Sequence, residues 1–392
     1  MLASASSRSY RNSLLILLPL VLGTVGAFLQ IGGASWDVTS HLMLEPESFL
    51  TPSHTVLYSG IGLLVSASGI GGFILFNRNK EITGKSFILA FKLLIVGSAV
   101  SLVAGPSDFL WHEEFGVDGL LSPPHLALIT GMLTNSIAVV IGLVRIQHTL
   151  LTSTEETIAR LALVPAFAAL WFTSIWYVYI FSLPFSNGES FQFNPNPYIG
   201  MLIATVSLPL LSTVLFLAAQ KAIGRLGGAT AVAVLVVLLN SLANVVPAAH
   251  SMIPFLPWYL VMAILPALLA ELALEYLPRY TKINVRKSQL ISGAIIGSLF
   301  YMFNYPMITW AFSIPFGMNF AGMEGIQAIG NLTPDYQNSL ISTLSLTVLP
   351  GAIMGLLGVV LTSKLYSSPS STPTECSISY NTKTDASYVA GK

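Results

Sequence analysis

The stretch Trp36–Gly60, WDVTSHLMLEPESFLTPSHTVLYSG, recurs 71 residues later as Ser107–Gly131, SDFLWHEEFGVDGLLSPPHLALITG. Both copies read D-x3-H-x12-H, and they align without a gap: Asp37, His41 and His54 fall on Asp108, His112 and His125. Four of the six histidines of the chain belong to these two motifs. Two copies in the same register indicate an internal repeat whose polar residues have a shared role.

The composition around the repeat is that of an integral membrane protein. Of the 392 residues, 54% are hydrophobic and only 9% are charged, whereas soluble domains carry about 25% charged residues. The lone cysteine, Cys376, excludes a disulfide framework and a cysteine metal site. The sequence has no basic cluster that would indicate nucleic-acid binding. The apolar composition predicts that the partner is membrane lipid.

Ten apolar runs are long enough to cross a bilayer, which takes about 20 residues per helix. They cover roughly 14–35, 55–77, 86–106, 124–146, 159–182, 198–219, 227–247, 258–277, 289–312 and 339–363. The sequence therefore predicts an all-α, polytopic membrane helical bundle. We divide it into the duplicated hairpins of 1–150, six further transmembrane helices in 151–366, and a Ser/Thr-rich cytoplasmic tail, 367–392, predicted to be disordered.

The basic residues predict the orientation of these spans. The chain has 17 lysines and arginines, and none of them lies in the connecting segments 36–54, 107–123, 183–197, 248–257 or 313–338. The positive-inside rule places these five segments outside and both termini in the cytoplasm of a cell-membrane protein. The spans then form five hairpins, with both histidine motifs on the extracytoplasmic side.

Several second helices of these hairpins begin with a capping residue followed by proline. The pairs are Thr51-Pro52, Ser122-Pro123, Asn194-Pro195 and Thr333-Pro334. An N-cap residue followed by proline at the first helical position is a favoured helix start. The pattern fits either an old duplication of all the hairpins or independent use of a common helix start.

Each motif has the spacing of a metal site. Residues i and i+4 share one face of a helix, so Asp37 and His41 would lie together, and His54 would approach from the next helix. Asp108, His112 and His125 would repeat the arrangement. One carboxylate with two imidazoles suits copper, zinc, iron or nickel better than calcium or magnesium. Nearby acidic residues would add negative potential or hold the histidines: Glu45, Glu47, Glu113, Glu114 and Asp118.

Two other interpretations of the motifs stay open at this stage. Aspartate and histidine at a membrane boundary can be solvated residues without a ligand. Alternatively, histidines of facing helices such as His54 and His125 could hold a haem, although haem ligands usually lie deeper in a span and would not need the aspartates.

The motifs resemble the C subunit of the copper membrane monooxygenases, the particulate methane and ammonia monooxygenases. That family has an Asp-x3-His-x12-His copper site on adjacent helices and a phrase F-T-P-S-H, similar to Phe49-Leu50-Thr51-Pro52-Ser53-His54 here. Its second site, which begins with Asn, ends in A-P-L-H, similar to Ser122-Pro123-Pro124-His125. The resemblance covers about residues 14–146, and this chain has Asp108 where the family has Asn.

The resemblance implies that Asp37, His41 and His54 bind one copper and that Asp108, His112 and His125 bind a second; zinc and iron are weaker alternatives. It implies a copper-dependent monooxygenase, or a subunit of one, that oxidises a small or apolar substrate with dioxygen. Other membrane subunits and a copper-binding soluble domain are the implied partners. Two different functions remain as alternatives: a transition-metal transporter, or a metal-binding structural partner of a membrane complex.

Some further polar and aromatic residues receive structural interpretations. Glu271 and Glu275 lie near Arg279, which indicates an interfacial pairing. His148 is interpreted as a solvated helix end and His250 as a loop histidine. Four aromatic residues of the fifth span are typical of membrane packing and an aromatic belt: Trp171, Trp176, Tyr177 and Tyr179.

Overall fold

The computed structural model describes residues 2–42, 45–46, 48–82, 85–116, 120–147, 152–183, 196–252, 256–303 and 348–364. These residues form ten helices, α1 to α10, and contain no strand. In chain order the helices are Leu2–Leu42, Pro52–Ile82, Lys85–Phe115, Pro123–Ile146, Ser153–Ile180, Pro197–Ile223, Gly228–Met252, Leu256–Tyr280, Val285–Phe303 and Val348–Lys364. The predicted all-α membrane bundle is confirmed.

Seven of the described helices, α1 to α7, are long and apolar enough to cross a membrane. Helices α8, α9 and α10 overlap the three remaining predicted spans. Residues 304–347 and the predicted tail, 367–392, lie outside the described residues. The chain is therefore a multi-pass membrane protein, while the side on which its loops and termini lie stays a prediction.

Close glycine contacts allow the helices of the first two hairpins to approach one another. A Cβ atom added at Gly60 of α2 would lie 2.5 Å from the backbone nitrogen of Gln30 and 2.7 Å from the carbonyl oxygen of Gly26, both in α1. Gly97 and Gly131 occupy the equivalent positions of α3 and α4, and a Cβ at Gly131 would lie 3.0 Å from the Gly97 carbonyl. Small residues of this kind are typical of membrane helix interfaces. The internal repeat therefore includes the contacts between α1 and α2 and between α3 and α4, as well as the two histidine motifs.

Helix α5 lies inside the bundle, in contact with α1, α4, α6 and α7. Trp171, Trp176 and Tyr179 are buried there, and only Tyr177 is half-buried. The three buried rings pack inside the bundle, as membrane packing predicts, and an aromatic belt stays a prediction for the half-buried Tyr177. The repeated segment and the segment that follows it share one apolar core.

Polar side chains join α1 to α7. Thr39 donates a hydrogen bond to Asn244 Oδ1 over 2.7 Å, and Ser35 donates to Asn240 Oδ1 over 3.4 Å. Thr39 and Ser35 lie on the face of α1 opposite Asp37. The bonds anchor the motif-bearing end of α1 against the second half of the chain.

Two details of the sequence interpretation are corrected. Helix α6 is capped by Asn196, whose side chain accepts from Tyr198 N and Ile199 N, so its Asn-Pro start lies two residues after the predicted Asn194-Pro195. The other correction concerns Glu271, which does not pair with Arg279. That arginine pairs with Glu275, its i−4 neighbour.

Glu271 is a buried cap for the first turn of α7. Its carboxylate accepts hydrogen bonds from Ala229 N over 2.9 Å, from Thr230 N over 3.1 Å, and from the Thr230 hydroxyl. The first amides of a helix have no partner within the helix, and a carboxylate there also meets the positive end of the helix dipole. Glu271 thus joins α8 to the start of α7.

Replacing Glu271 by alanine should lower the free energy of unfolding by about 1–3 kcal/mol, the cost of leaving buried donors without acceptors. The same change at Glu275 should cost no more than about 0.5 kcal/mol, since an i,i+4 surface pair contributes little. Unfolding in mixed detergent micelles, followed by circular dichroism, measures both. Equal losses for the two variants would contradict the capping role.

Candidate metal centre

Local helix geometry places the first triad. Helix α1 continues to Leu42, so Asp37 and His41 lie one turn apart on the same face. Helix α2 begins at Pro52, and the Thr51 hydroxyl accepts a 3.4 Å hydrogen bond from the backbone amide of His54. The proline fixes the helix start, and the cap holds the turn that carries His54.

The three side chains of the first triad converge. His54 Nε2 lies 3.2 Å from Asp37 Oδ1, and His41 Nε2 lies 3.9 Å from Asp37 Oδ2. One ligand atom from each residue lies within 4.8 Å of the other two. Ser53 donates a 2.7 Å hydrogen bond to Asp37 Oδ1 and so fixes the carboxylate. Asp37 is only 7% exposed and His54 only 3%, so the group is shielded from solvent.

A backbone carbonyl orients the His54 ring. His54 Nδ1 lies 2.9 Å from the Ser48 carbonyl oxygen, which can only accept, so Nδ1 carries the proton. In the neutral ring, Nε2 then presents a lone pair to the Asp37 carboxylate. The Tyr58 ring stacks on the imidazole with 5.5 Å between centroids. Metal-binding histidines are commonly held in this way through their second nitrogen.

The second triad repeats the geometry. His125 Nε2 lies 3.1 Å from Asp108 Oδ1, and His112 Nε2 lies 3.8 Å from Asp108 Oδ2. The ligand atoms again lie within 4.8 Å of one another. Ser122 caps α4, and its side chain accepts from the backbone amide of His125. The two copies of the motif therefore build the same constellation.

A glycine beyond α3 orients the His112 ring. Helix α3 ends at Phe115, and Gly116 follows with a φ of +78°, a left-handed conformation that favours glycine. This turn places the Gly116 carbonyl oxygen 3.1 Å from His112 Nδ1. His112 thus receives the kind of support that His54 receives, but it is the second ligand of its motif, whereas His54 is the third.

The two triads differ beside the aspartate. Pro124 stands where the first motif has Ser53, so no hydroxyl is available to Asp108 from that position. Asp108 Oδ1 is buried and accepts no hydrogen bond from the residues that the structure describes. The negative charge of Asp108 is therefore balanced less by fixed donors than that of Asp37, which favours a cation at the second triad.

The triads adjoin one another. The rings of His41 and His112 meet edge to face, with 4.8 Å between their centroids. Within the triads, the ring centroids lie 6.3 Å apart for His41 and His54 and 5.5 Å apart for His112 and His125. The four imidazoles thus form a continuous row that joins the two hairpins into one centre.

The donor set fits a transition metal. A carboxylate oxygen and the lone pair of a neutral imidazole repel each other at about 3 Å unless a proton or a cation lies between them. Both triads hold such pairs in buried surroundings. Nitrogen and oxygen ligands of this type suit copper, zinc, iron or nickel. A haem between His54 and His125 fits poorly, because each ring faces its own aspartate at contact distance.

Three of the acidic residues near the motifs lie among the described residues. Glu45, Glu113 and Glu114 are exposed. The Nδ1 atoms of His54 and His112 meet backbone carbonyls. Glu45 lines a cleft beside Asp37 and His41, so it can add negative potential there. Glu47 and Asp118 lie outside the described residues.

The remaining histidines stand apart from the centre in sequence. His148 lies outside the described residues, and His250, interpreted as a loop residue, lies in α7. Sequence reasoning missed the carbonyls of Ser48 and Gly116 and the hydroxyl of Ser53. Only Gly116 had a recognisable signal, a glycine just after a helix end.

Comparison of the chain with protein-family models, curated proteins and solved structures gives no match. The candidate function therefore depends on the chemistry of the centre. Among the described residues, the two triads are the groups of histidine and carboxylate side chains with the geometry to bind a metal ion.

Proposed function

We propose that this protein is a copper-binding membrane protein related to the C subunit of the copper membrane monooxygenases, and that it takes part in dioxygen-dependent oxidation of a small or apolar substrate. The observation that carries the proposal is the pair of adjoining Asp-His-His triads. Each triad would bind one copper ion: Asp37, His41 and His54 the first, and Asp108, His112 and His125 the second.

Three protein ligands leave a coordination position open on each ion. Bound copper would supply the redox chemistry that activates dioxygen. The residues of the chain hold and shield the centre: the aspartates supply charge, the Ser48 and Gly116 carbonyls fix two rings, and the buried surroundings exclude water. Separate membrane subunits and a soluble copper-binding domain are the partners proposed for the complete oxidation.

Transport of a metal ion is less well supported. A transporter needs further ligands along its path, and intramembrane ionisable residues usually mark such a path. The parts of α1 to α4 below the triads contain no aspartate, glutamate, histidine or cysteine, as residues 14–36, 55–77, 86–107 and 126–146 show. Lys92 is the one charged residue in 55–77 and 86–107, and it is exposed. A permanently bound metal cofactor therefore explains the two triads better than a transported metal ion.

The test is the metal content and spectrum of the purified protein. After loading with copper in lipid nanodiscs and removal of excess ion, elemental analysis should find two copper ions per chain. Electron paramagnetic resonance should show Cu(II) with nitrogen ligands, broadened by the neighbouring ion because the triads adjoin. Reduction followed by exposure to air should consume dioxygen.

Protein that retains no copper under these conditions would refute the metal site. Retained zinc with no bound copper would refute the redox function but keep the site. Two bound copper ions that never consume dioxygen after reduction would favour the structural-partner alternative.

A further inference from the structure

A polar cleft reaches the first triad. It lies where α1 ends and α2 begins, and two ligands of the triad, Asp37 and His41, form part of its wall. Polar side chains line the cleft beside them: Ser40, Glu45, Thr51 and Ser53. Glu45 is exposed, and its backbone amide donates a 3.0 Å hydrogen bond to the Ser40 carbonyl oxygen, which fixes the chain just after the helix. An exposed carboxylate thus stands in the cleft that leads to the triad.

The second motif differs from the first at the residues that line this cleft. With the offset of 71 residues, three polar cleft residues have counterparts that carry neither a hydroxyl nor a carboxylate: Ser40 corresponds to Trp111, Glu45 to Gly116 and Ser53 to Pro124. A groove between α3 and α4 contains the counterparts of four cleft residues, but its described walls are mostly apolar and include neither Asp108 nor His112.

The exposure of the paired histidines follows the same difference. The His41 side chain is 12% exposed, whereas that of its counterpart His112 is 3% exposed. Gly116, at the position of Glu45, turns its carbonyl oxygen to His112 Nδ1 instead of lining a cleft. The two motifs therefore share their ligands and differ in the approach to them, which indicates that the approach has a role of its own at the first triad.

The residues of the cleft suit the capture of a cation. A cleft lined by charge of one sign raises the local concentration of counter-ions and their rate of association. The segment 36–54 contains no lysine or arginine, so no positive charge of this segment opposes a cation. His41 Nε2 is buried and lies 3.9 Å from Asp37 Oδ2, so the cleft ends on the outer side of the triad. A turn of one of these two side chains completes the passage.

We propose that this cleft is the entrance by which a transition-metal ion reaches the first triad, and that Glu45 captures the ion at the surface before Asp37 and His41 bind it. The assignment of the ion as copper rests on the proposed function, whereas the entrance serves any transition-metal ion that the triad binds. Glu45 is not a ligand of the bound ion. It sets the rate of uptake and leaves the number of retained ions unchanged.

The test is the rate of copper uptake by the first triad alone. The variant His125→Ala leaves that triad as the intact site, and metal-free protein of this background is mixed with Cu(II) sulfate in lipid nanodiscs. Excess chelator stops uptake at set times, and elemental analysis counts the retained copper. Adding Glu45→Gln removes one charge at nearly constant shape. Uptake should slow by roughly threefold to tenfold, the effect of one charge a few ångströms from a cation in water, and the final copper content should not change.

Two further variants separate the entrance from general attraction by surface charge. Glu45→Asp keeps the carboxylate and should restore most of the uptake rate. Glu114→Gln is the matched control, because Glu114 is an equally exposed carboxylate that lies on α3 and does not line the cleft, and the rate should stay as it was. An unchanged rate in Glu45→Gln, or equal slowing by Glu114→Gln, would overturn the proposal. A lower final copper content in Glu45→Gln would also overturn it, since Glu45 would then be a permanent ligand.

The same series with Zn(II) sulfate separates the entrance from the proposed oxidation. Attraction by a carboxylate does not depend on redox chemistry, so Glu45→Gln should slow zinc uptake by a similar factor. Protein that retains zinc but no copper, with uptake that depends on Glu45, would keep the entrance and refute the copper function. Full copper content with uptake that does not depend on Glu45 would do the reverse, and protein that retains neither ion would overturn both.

Discussion

A chain that carries both His54→Ala and His125→Ala should lose its tightly bound copper altogether, whereas each single variant should lose one ion per chain. Each of these histidines is the ligand that the second helix of a hairpin brings to its aspartate, at 3.2 Å and 3.1 Å. Without it, each site keeps only two ligands from one helix turn. Loss of a residue that only hydrogen-bonds to a metal ligand lowers metal affinity by roughly 10–100-fold. Loss of the ligand itself should lower the affinity for copper further.

Elemental analysis after dialysis against a competing chelator measures the remaining copper, and circular dichroism checks that the helices persist. His148→Ala is the control, since His148 belongs to neither motif, and it should retain both ions. If the double variant still binds two copper ions, the motifs are not the metal site.

Each single variant should also alter the spectrum of the site that it leaves intact. The rings of His41 and His112 touch, so the two ions would lie close enough to broaden one another's resonance. The copper that remains in His54→Ala should therefore give a sharper signal than the native protein. Sites that are far apart would give a signal of unchanged width.

The repeat made the composition of both triads predictable from sequence. The spacing of Asp37 and His41 brings the two side chains together only if both lie on a helix. Thr51-Pro52 marks the start of the helix that carries His54. Both conditions are local, and both hold in the structure. The same local reasoning predicted the helical membrane bundle, because the length of an apolar run decides whether it can span a bilayer.

The contact between the triads was not predictable in this way. This contact depends on how α1 and α3 pack. No short-range sequence pattern predicts the distance between His41 and His112, which are 71 residues apart. The Ser48 carbonyl is a further case, since the direction of a backbone carbonyl follows from the loop conformation. Glu271 shows the opposite error: its proximity to Arg279 in the sequence suggested a local partner, whereas the side chain caps a helix that begins more than 40 residues earlier.

Trp176 illustrates what composition alone conceals. In the sequence it is one of several aromatic residues near a membrane boundary, where a belt is the usual interpretation. Trp171, five residues earlier on the same helix, donates to Ser212 Oγ, whereas Trp176 Nε1 has no acceptor among the described residues. Only the packing of α5 against its neighbours decides which of the two donors has a partner.

Substitution of Gly60 by leucine should separate α1 from α2 and abolish copper binding at the first triad. The added side chain would begin 2.5 Å from a backbone nitrogen of α1, and backbone cannot rotate away as a side chain can. Overpacking costs about 1–3 kcal/mol and occasionally more, and a rigid contact between two helix backbones belongs at the upper end. A shift of α2 by even 1–2 Å would move His54 away from Asp37.

Gly62→Leu is the matched control on the same helix, because a Cβ atom there meets nothing within 4 Å. This variant should fold with native stability or better, since leucine favours a helix over glycine by nearly 1 kcal/mol, and it should keep both copper ions. Gly60→Leu should keep only the copper of the second triad, whose hairpin closes through Gly97 and Gly131 instead. Unfolding in mixed micelles and elemental analysis of the folded fraction separate the two variants. Equal stability and equal copper content would mean that the glycine contact does not position the first triad.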